Sequence, residues 1–429
     1  MPDSPATNGG SSAGPGSPSG SRFARLPRLA GRSFLPLGIF ARLPLAMLTV
    51  GTLTLVTSNS GSYALGGTAA GAVGIGSALG APILGTLADR RGQRPVLLFA
   101  AALNTAAVAA LILAAALLGT SGGFTAEVLA AAFLSGASCP QVGPLARVRW
   151  MALTSQGSAP DNRRDLDTAL SYESTADEIT FVLGPALVGI LASLLAPWLP
   201  LALAAAMTIT LVPAFATHHT HRAVPVTRRP AGERTSEQGT ARRSLPAAVA
   251  VPVVAMVCMG TFFGSAQAAL SSFSAQYATS EIAGLLYAVM GLSSAAAALS
   301  VAYWPQRFGL SWRWVASAAL MAALAALLLV PASLGSMVLV LLILGLPVGP
   351  VMVTVFAVGG AVAPAGRLGT VMTALASGIV AGTAIGSAVG GRLAQDHGYS
   401  AAFLVPACAA AALALLGAAA AVVLQRRRA

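Results

Sequence analysis

The chain has 429 residues, 56% of them hydrophobic and only 9% charged. A soluble domain carries roughly 25% charged residues, so this composition excludes a water-solvated surface and points to lipid around the outer faces. The net charge of +12 could suit a nucleic-acid partner, but the basic residues, all of them arginine, lie between apolar segments and not on one module, which excludes that reading.

The first thirty-three residues are Gly, Ser, Pro and Arg in the main and cannot bury enough apolar surface to fold. A disordered tail is expected over 1–33. The first apolar run, from Phe34, begins too far in and runs too long for a secretory signal. A membrane helix needs about 20 mostly apolar residues, and twelve such runs follow. The first six are roughly Phe34–Ser58, Tyr63–Ala88, Pro95–Gly119, Phe124–Leu145, Thr168–Ala196 and Leu199–Ala216. The second six are Pro246–Ser272, Ile282–Tyr303, Trp312–Val330, Ser336–Val358, Thr370–Gly391 and Ala401–Leu424.

Arginine placement tests this count. With the N-terminus in the cytoplasm, 23 of the 25 arginines fall on the cytoplasmic side, including Arg90, Arg91 and Arg94, then Arg147, Arg149, Arg163 and Arg164. Arg392 falls outside and Arg42 lies within a span. This positive-inside bias puts both termini in the cytoplasm of a bacterial inner membrane. The polar stretch from His218 divides the chain into a six-span bundle over 34–217, a cytoplasmic linker over 218–245, a second bundle over 246–424 and a basic tail over 425–429. His218, His219 and His221 are a conceivable metal group. With no nearby Cys and few carboxylates they read as the start of a solvated loop. Cys139, Cys258 and Cys408 lie in apolar runs and read as buried, inert thiols. No metal or cofactor is expected.

The halves repeat one another. Val142-Gly143-Pro144 in span four matches Val348-Gly349-Pro350 in span ten, and Ala159-Pro160 with Arg163 recurs as Ala363-Pro364 with Arg367. Arg90-Arg91-Gly92 after span two matches Arg307-Phe308-Gly309 after span eight. The order is kept, which supports duplication of a six-helix unit, a common plan in transporters.

The loop after span two reads Gly85-Thr86-Leu87-Ala88-Asp89-Arg90-Arg91-Gly92-Gln93-Arg94. It resembles the signature loop of the major facilitator superfamily, Gly-x-Leu-Ala-Asp-Arg-x-Gly-Arg-Lys, and differs at Gln93 and in having Arg94 for the lysine. The resemblance implies an all-α membrane protein of twelve transmembrane helices in two pseudo-symmetric six-helix bundles. It also implies that Asp89 faces the partly positive N-terminus of span eleven and latches the halves in the outward-open state. Gly85 would permit close helix approach and Gly92 a tight turn, while Arg90 and Arg94 would pair with acids or lipid phosphates. The other reading of this loop is a topological anchor. In span five, Gly184-Pro185-Ala186-Leu187-Val188-Gly189 is similar to the Gly-Pro motif of the bacterial drug–proton antiporter branch, with Ile190 where a second Gly would stand. That branch has an Arg in span four. The comparable stretch here, Ala132-Phe133-Leu134-Ser135-Gly136, has none, so its proton-relay role is not assigned.

Ionisable groups inside a membrane are functional candidates by default. Span five carries Glu173 and Asp177, four apart and on one face, with Glu178 on the neighbouring stripe. Arg42 in span one is about eight residues deep and Asp177 about nine, so at 1.5 Å per residue they reach similar depth. A salt bridge from Arg42 to Asp177 or Glu178 is expected. The set is either a static network or, because three acids face one base, a site where neighbouring negative charge leaves one carboxylate able to exchange a proton. By the same resemblance spans one, four, seven and ten line the central cavity. Gln141, Phe263 and Gln267 are candidate substrate contacts there, suited to an amphiphilic molecule, or are lipid-facing and core residues.

Span eleven places Gly378, Gly382, Gly386 and Gly390 on one stripe, for close packing or for sliding between halves. Pro140, Pro144, Pro347 and Pro350 should bend spans four and ten. The sequence has no nucleophile–base constellation and no nucleotide loop, so an enzyme is not expected. The functional expectation is secondary active transport of a small molecule by a monomer, by proton-coupled export, with membrane lipids as surroundings. Uptake or facilitated diffusion on the same fold, and a non-transporting sensor or scaffold, are the alternatives.

Overall fold

In lipid each peptide group must find its hydrogen bond within its own segment, so long apolar runs become helices. The computed structural model describes residues 22–121, 125–155, 159–225, 247–277 and 282–426. Among these, every element is helical, and 12 helices are long and apolar enough to cross a membrane. Spans one to three are Phe34–Ser60, Tyr63–Arg91 and Gln93–Ser121. Span four is Thr125–Ala137 continued by Val142–Thr154; spans five and six are Ala159–Leu194 and Leu199–Thr217. Spans seven to nine are Ala247–Tyr277, Ile282–Ser300 and Leu310–Ala325, the last two each extended by a short 3-10 turn. Spans ten to twelve are Leu334–Val362, Leu368–Ala402 and Leu404–Arg426. An even number of crossings returns the chain to the face on which it began. We call this the terminal face.

Local chemistry sets several boundaries. The Ser62 hydroxyl caps span two by accepting from the Leu65 N–H at 3.2 Å, and Ser333 with Ser336 forms a capping box at the start of span ten. Span two ends at Gly92, whose positive φ of 89° is a backbone conformation that glycine adopts readily, as the motif position requires.

Each half is knit by helices that approach through glycine. In the first half Gly184 of span five meets Ala46 of span one; a Cβ on Gly184 would lie 2.6 Å from the Ala46 methyl. In the second half the span-eleven stripe packs on the backbone of span seven, with Gly382 against the Val257 carbonyl and Gly386 against the Thr261 carbonyl. Spans seven and eleven belong to one half. The stripe therefore fastens that half internally and is not the sliding surface between halves that the sequence also allowed.

Three expectations need correction. Residues 1–21 of the anticipated tail, 226–245 of the linker, 246 at the start of the second bundle and 427–429 of the basic tail lie outside the described residues. From Arg22, however, the chain is helical: a 3-10 turn over Arg22–Arg25 runs into an α-helix over Leu26–Ala30. Phe23, Leu26 and Leu29 recur at helical spacing, and Leu26 and Ala30 are buried in a cluster with Phe34, Trp150 and Phe215. The start of the linker is likewise packed, as a 3-10 turn over His219–Ala223 with Thr220 buried. The largest correction concerns span four. It does not end near Leu145; the helix breaks around Pro140, restarts at Val142 and continues to Thr154. Arg147 and Arg149, read from the sequence as loop arginines, are 1% and 0% exposed inside it. Of the four prolines expected to bend spans four and ten, Pro140 sits at a true break, Pro144 lies in the first turn of the helix that restarts at Val142, and Pro347 and Pro350 lie inside a continuous helix.

Candidate functional site: a buried charge network and the contacts between halves

Spans one, four and five of the first half converge on a buried charge network. Arg42 donates from Nη2 to Glu173 Oε2 at 2.6 Å and from Nη1 to Asp177 Oδ1 at 2.8 Å. Its Nε donates to the Gly38 carbonyl at 2.9 Å. Arg147, the residue the sequence reading placed in a loop, donates from Nη2 to Asp177 Oδ2 at 2.6 Å. Trp150 Nε1 donates to the remaining Glu173 oxygen at 2.8 Å. Gly143 makes room for this cluster: a Cβ there would lie 3.3 Å from Asp177 Oδ1 and 3.6 Å from Arg147 Nη1. Two guanidinium groups thus face two carboxylates, and the set is neutral. Buried ion pairs need nearly every polar atom answered; in this set Arg147 Nε is the one buried atom left without a partner among the described residues.

Arg42 meets Asp177, one of the two partners expected for it, while Glu178, the other, lies outside this set. One residue beyond Asp177, it points around the helix to the second half, where its Oε1 accepts from Ser294 Oγ of span eight at 2.8 Å. It is 7% exposed, and among the described residues it forms no ion pair. A turn earlier, Thr175 donates to the Ala295 carbonyl at 3.1 Å. Gly291 keeps the seam narrow; a Cβ there would meet Val182 at 3.2 Å. Arg147 also touches the second half, its guanidinium lying 3.9 Å from the ring centroid of Phe356 in span ten.

Toward the terminal face the halves are joined by two polar clasps. In the first, Asp89 Oδ1 accepts from the Gly369 N–H at 2.8 Å, and Oδ2 from the Thr370 N–H and hydroxyl, each at 2.7 Å. The carboxylate therefore caps the first turn of span eleven, whose orphan N–H groups and dipole favour an anion. Gly85 permits the approach, since a Cβ there would run into the Thr373 hydroxyl. Arg90 and Arg94 are exposed and, among the described residues, form no ion pair. The departure at Gln93 has a local reason. Gln93 Oε1 accepts from Arg149 Nε at 2.8 Å, and Arg149 is otherwise held by the Phe215 carbonyl, the Thr220 hydroxyl and the Phe215 ring.

The second clasp was not anticipated. Asp167 Oδ2 of span five accepts from Arg313 Nη1 of span nine at 3.0 Å and from Gln306 Nε2 at 3.2 Å. A cavity of about 510 Å³, lined in part by Asp89, Met151, Val224, Gly360 and Leu368, lies at the same face.

The candidate substrate contacts lie on spans four and seven. The Gln141 amide donates to the Cys139 carbonyl at 2.9 Å, which serves the break in span four. Phe263 packs edge-on against Phe262 and Tyr287, and Gln267 is exposed. His218 is engaged by Ser33 and Thr220, and His221 by the His218 carbonyl. Among the described residues no three His, Cys, Asp or Glu side chains converge as metal ligands would.

Twelve spans in two six-span halves, with an acid of one half capping a helix of the other, define an integral membrane protein of the two-bundle secondary-transporter fold. The chain belongs to the Major Facilitator Superfamily, whose family model matches residues 34–377 and again 253–429. The sequence matches no curated protein. Among solved structures it resembles the human organic anion transporter MFSD10 (TETRAN), with 19% identity and a TM-score of 0.66 over 92% of this chain and 99% of that one. It also resembles a bacterial homologue of the iron transporter ferroportin in its outward-facing state, with 14% identity and a TM-score of 0.67 over 90% and 98%. The fucose:proton symporter FucP of E. coli is similar at 16% identity and a TM-score of 0.58 over 91% and 99%. At these identities the likeness is one of fold.

Proposed function

We propose that this chain is a proton-coupled secondary transporter that exports a small amphiphilic molecule by alternating access, with Glu178 as the carboxylate that exchanges the proton. The observation that carries the reading is the place of Glu178. It is a buried acid with no cationic partner among the described residues, and it sits on the seam where spans five and eight must separate if the halves rock. Its hydrogen bond to Ser294 crosses that seam. Any rearrangement that parts the spans changes the surroundings of the carboxylate, so proton occupancy and seam opening are thermodynamically linked. Asp177, held by two arginines, serves as the static part of the network.

The clasps at the terminal face support the alternating element. They are hydrogen bonds and ion pairs between halves, which water can replace when the face opens. We place that face in the cytoplasm on the arginine bias, which makes the described arrangement the outward-open one, in a bacterial inner membrane. The monomer is the working unit, lipids are its surroundings, and we read it as a transporter and not an enzyme. The Gly184-Pro185 segment is what favours the drug–proton antiporter branch. The structural neighbours include an organic anion transporter and a proton symporter, so neither substrate nor direction carries over from the fold.

The test is expression in a transporter-deficient bacterial host loaded with a panel of amphiphilic dyes. Accumulation should fall relative to empty vector, the fall should vanish with a protonophore, and Glu178→Gln should abolish it. Protonophore-sensitive export that survives Glu178→Gln in membrane-inserted protein would remove Glu178 from the mechanism.

A further inference from the structure

We propose that Arg22–Ala30 is a strap across the terminal face, fixed to the first half and hooked onto the second, which must unhook before that face can open. The inference rests on the alternating-access reading and adds a part that neither the family motif nor the span count contains.

The fixed end is built from buried contacts. Leu26 is 1% and Ala30 0% exposed, in the cluster that Phe34, Trp150 and Phe215 form in the first half. Arg25 reaches the beginning of span five, 3.3 Å from Asp165 and 3.7 Å from Asp161. The hooked end lies on the second half. The Arg22 guanidinium donates to the Ala302 carbonyl and lies 5.2 Å from the ring centroid of Tyr303. The Phe23 ring is 6.1 Å from the same ring. Ala302 and Tyr303 form the turn that ends span eight.

The segment therefore bridges the seam of spans five and eight, the one crossed deeper in by Glu178 and Ser294 and closed nearby by Asp167 and Arg313. The Asp89 clasp closes a different seam, that of spans two and eleven. The two ends of the strap differ in kind. The anchor is apolar and buried, whereas the hook is one guanidinium and one ring on a tyrosine that is 53% exposed. The hook is the end that releases, and its loss should change a two-state balance by a modest factor.

The test is a distance measurement on the full-length protein in lipid nanodiscs. With Cys139, Cys258 and Cys408 replaced by alanine, spin labels are placed at Arg163→Cys and Arg307→Cys, exposed positions on either side of the seam. Pulsed electron resonance should give a dominant short distance and a minor long one. Arg22→Ala and Phe23→Ala, and Tyr303→Leu from the receiving side, should each raise the long-distance fraction about three- to fivefold, the scale of an exposed cation–π contact. A Phe23→Cys/Tyr303→Cys pair, unlabelled and read by fluorescent reporters at the same seam, should lose the long fraction on oxidation and regain it on reduction. If Asp89→Asn lengthens the distance while all three hook variants leave it unchanged, the strap is wrong and alternating access stands. A single fixed distance in every variant, Asp89→Asn included, would overturn both.

Discussion

Asp167 and Arg313 belong to opposite halves of the molecule, yet their side chains meet at 3.0 Å and are 8% and 4% exposed. Removing one partner of a buried pair leaves the other uncompensated, at a cost of about 3–5 kcal/mol. Here the cost falls on one conformation only, because opening the face returns both groups to water. Arg313→Met should therefore shift the protein toward the arrangement opened at the terminal face by tenfold or more. Alkylation of a cysteine placed at Ala298, buried against Leu170 across the seam in the closed arrangement, would report it. Unchanged labelling would show that the pair does not hold the closed arrangement.

The four-membered network should behave as a unit. Arg147→Gln leaves Asp177 with one guanidinium in place of two, and we expect a clear loss of thermal stability in detergent. The double variant Arg147→Gln/Asp177→Asn removes a cation and an anion together and should recover part of that loss. The coupling energy should be on the order of 2 kcal/mol. Additive single effects in the cycle would mean that the 2.6 Å contact is energetically idle.

Glycines of span eleven offer a matched comparison. A Cβ at Gly382 would collide with the Val257 carbonyl and lie 2.8 Å from the Thr261 nitrogen, whereas at Gly391 it would meet nothing within 4 Å. Gly382→Ala should destabilise by about 1–3 kcal/mol through overpacking. Gly391→Ala should be neutral or stabilise by roughly 0.5–1 kcal/mol, the usual gain of Ala over Gly in a helix. Thermal unfolding of the two purified variants decides it, and equal midpoints would contradict the backbone-to-backbone packing.

His218 gives a pH dependence outside the membrane. Burial, then the neighbouring His219, Arg149 and His221, push its imidazole from the ordinary 6.5 down to about 4. Between those values the unfolded chain holds a proton there and the folded one does not, so stability rises with pH across the window. The contribution is complete above pH 6.5 and is lost as pH falls toward 4. His218→Gln should flatten the fall in unfolding temperature between pH 7 and 4.5. A slope identical to that of the parent protein would assign the acid sensitivity elsewhere.

Much of the architecture was legible because lipid imposes simple rules. Apolar length marks the spans and arginine marks the loops. The Asp89 contact was anticipated through the resemblance of its loop to the family signature, and it is made to a helix end, whose N–H groups exist whatever the sequence. Arg147 was missed for the same reason that the loops were found: an arginine after Pro144 counts as evidence that a span has ended. Only its counter-charge, thirty residues on in span five, makes it tolerable inside, and spacing along the chain does not reveal that pairing. The fate of Glu178 was hidden by a single step of about 100° around the helix, which turns it from the Arg42 side to another half of the protein. Gln93, the mismatch in the motif, carried the available signal for Arg149: a polar residue at a span start whose carbonyl must be answered by a donor. The Phe23, Leu26 and Leu29 spacing was a legible sign of helix, outweighed by the composition of the tail around it.

The grip of Asp89 is made largely on main-chain amides of span eleven. At Gly369 a Cβ would lie 2.5 Å from Asp89 Oδ1, so that position must stay bare, whereas Thr370 can change its side chain and keep its amide, and the burden of heredity falls mainly on Asp89 and Gly369. Drift at Thr370 forfeits one hydroxyl, while drift at Asp89 forfeits the whole attachment. A lineage could remodel its second bundle for new cargo and still keep the same fastening.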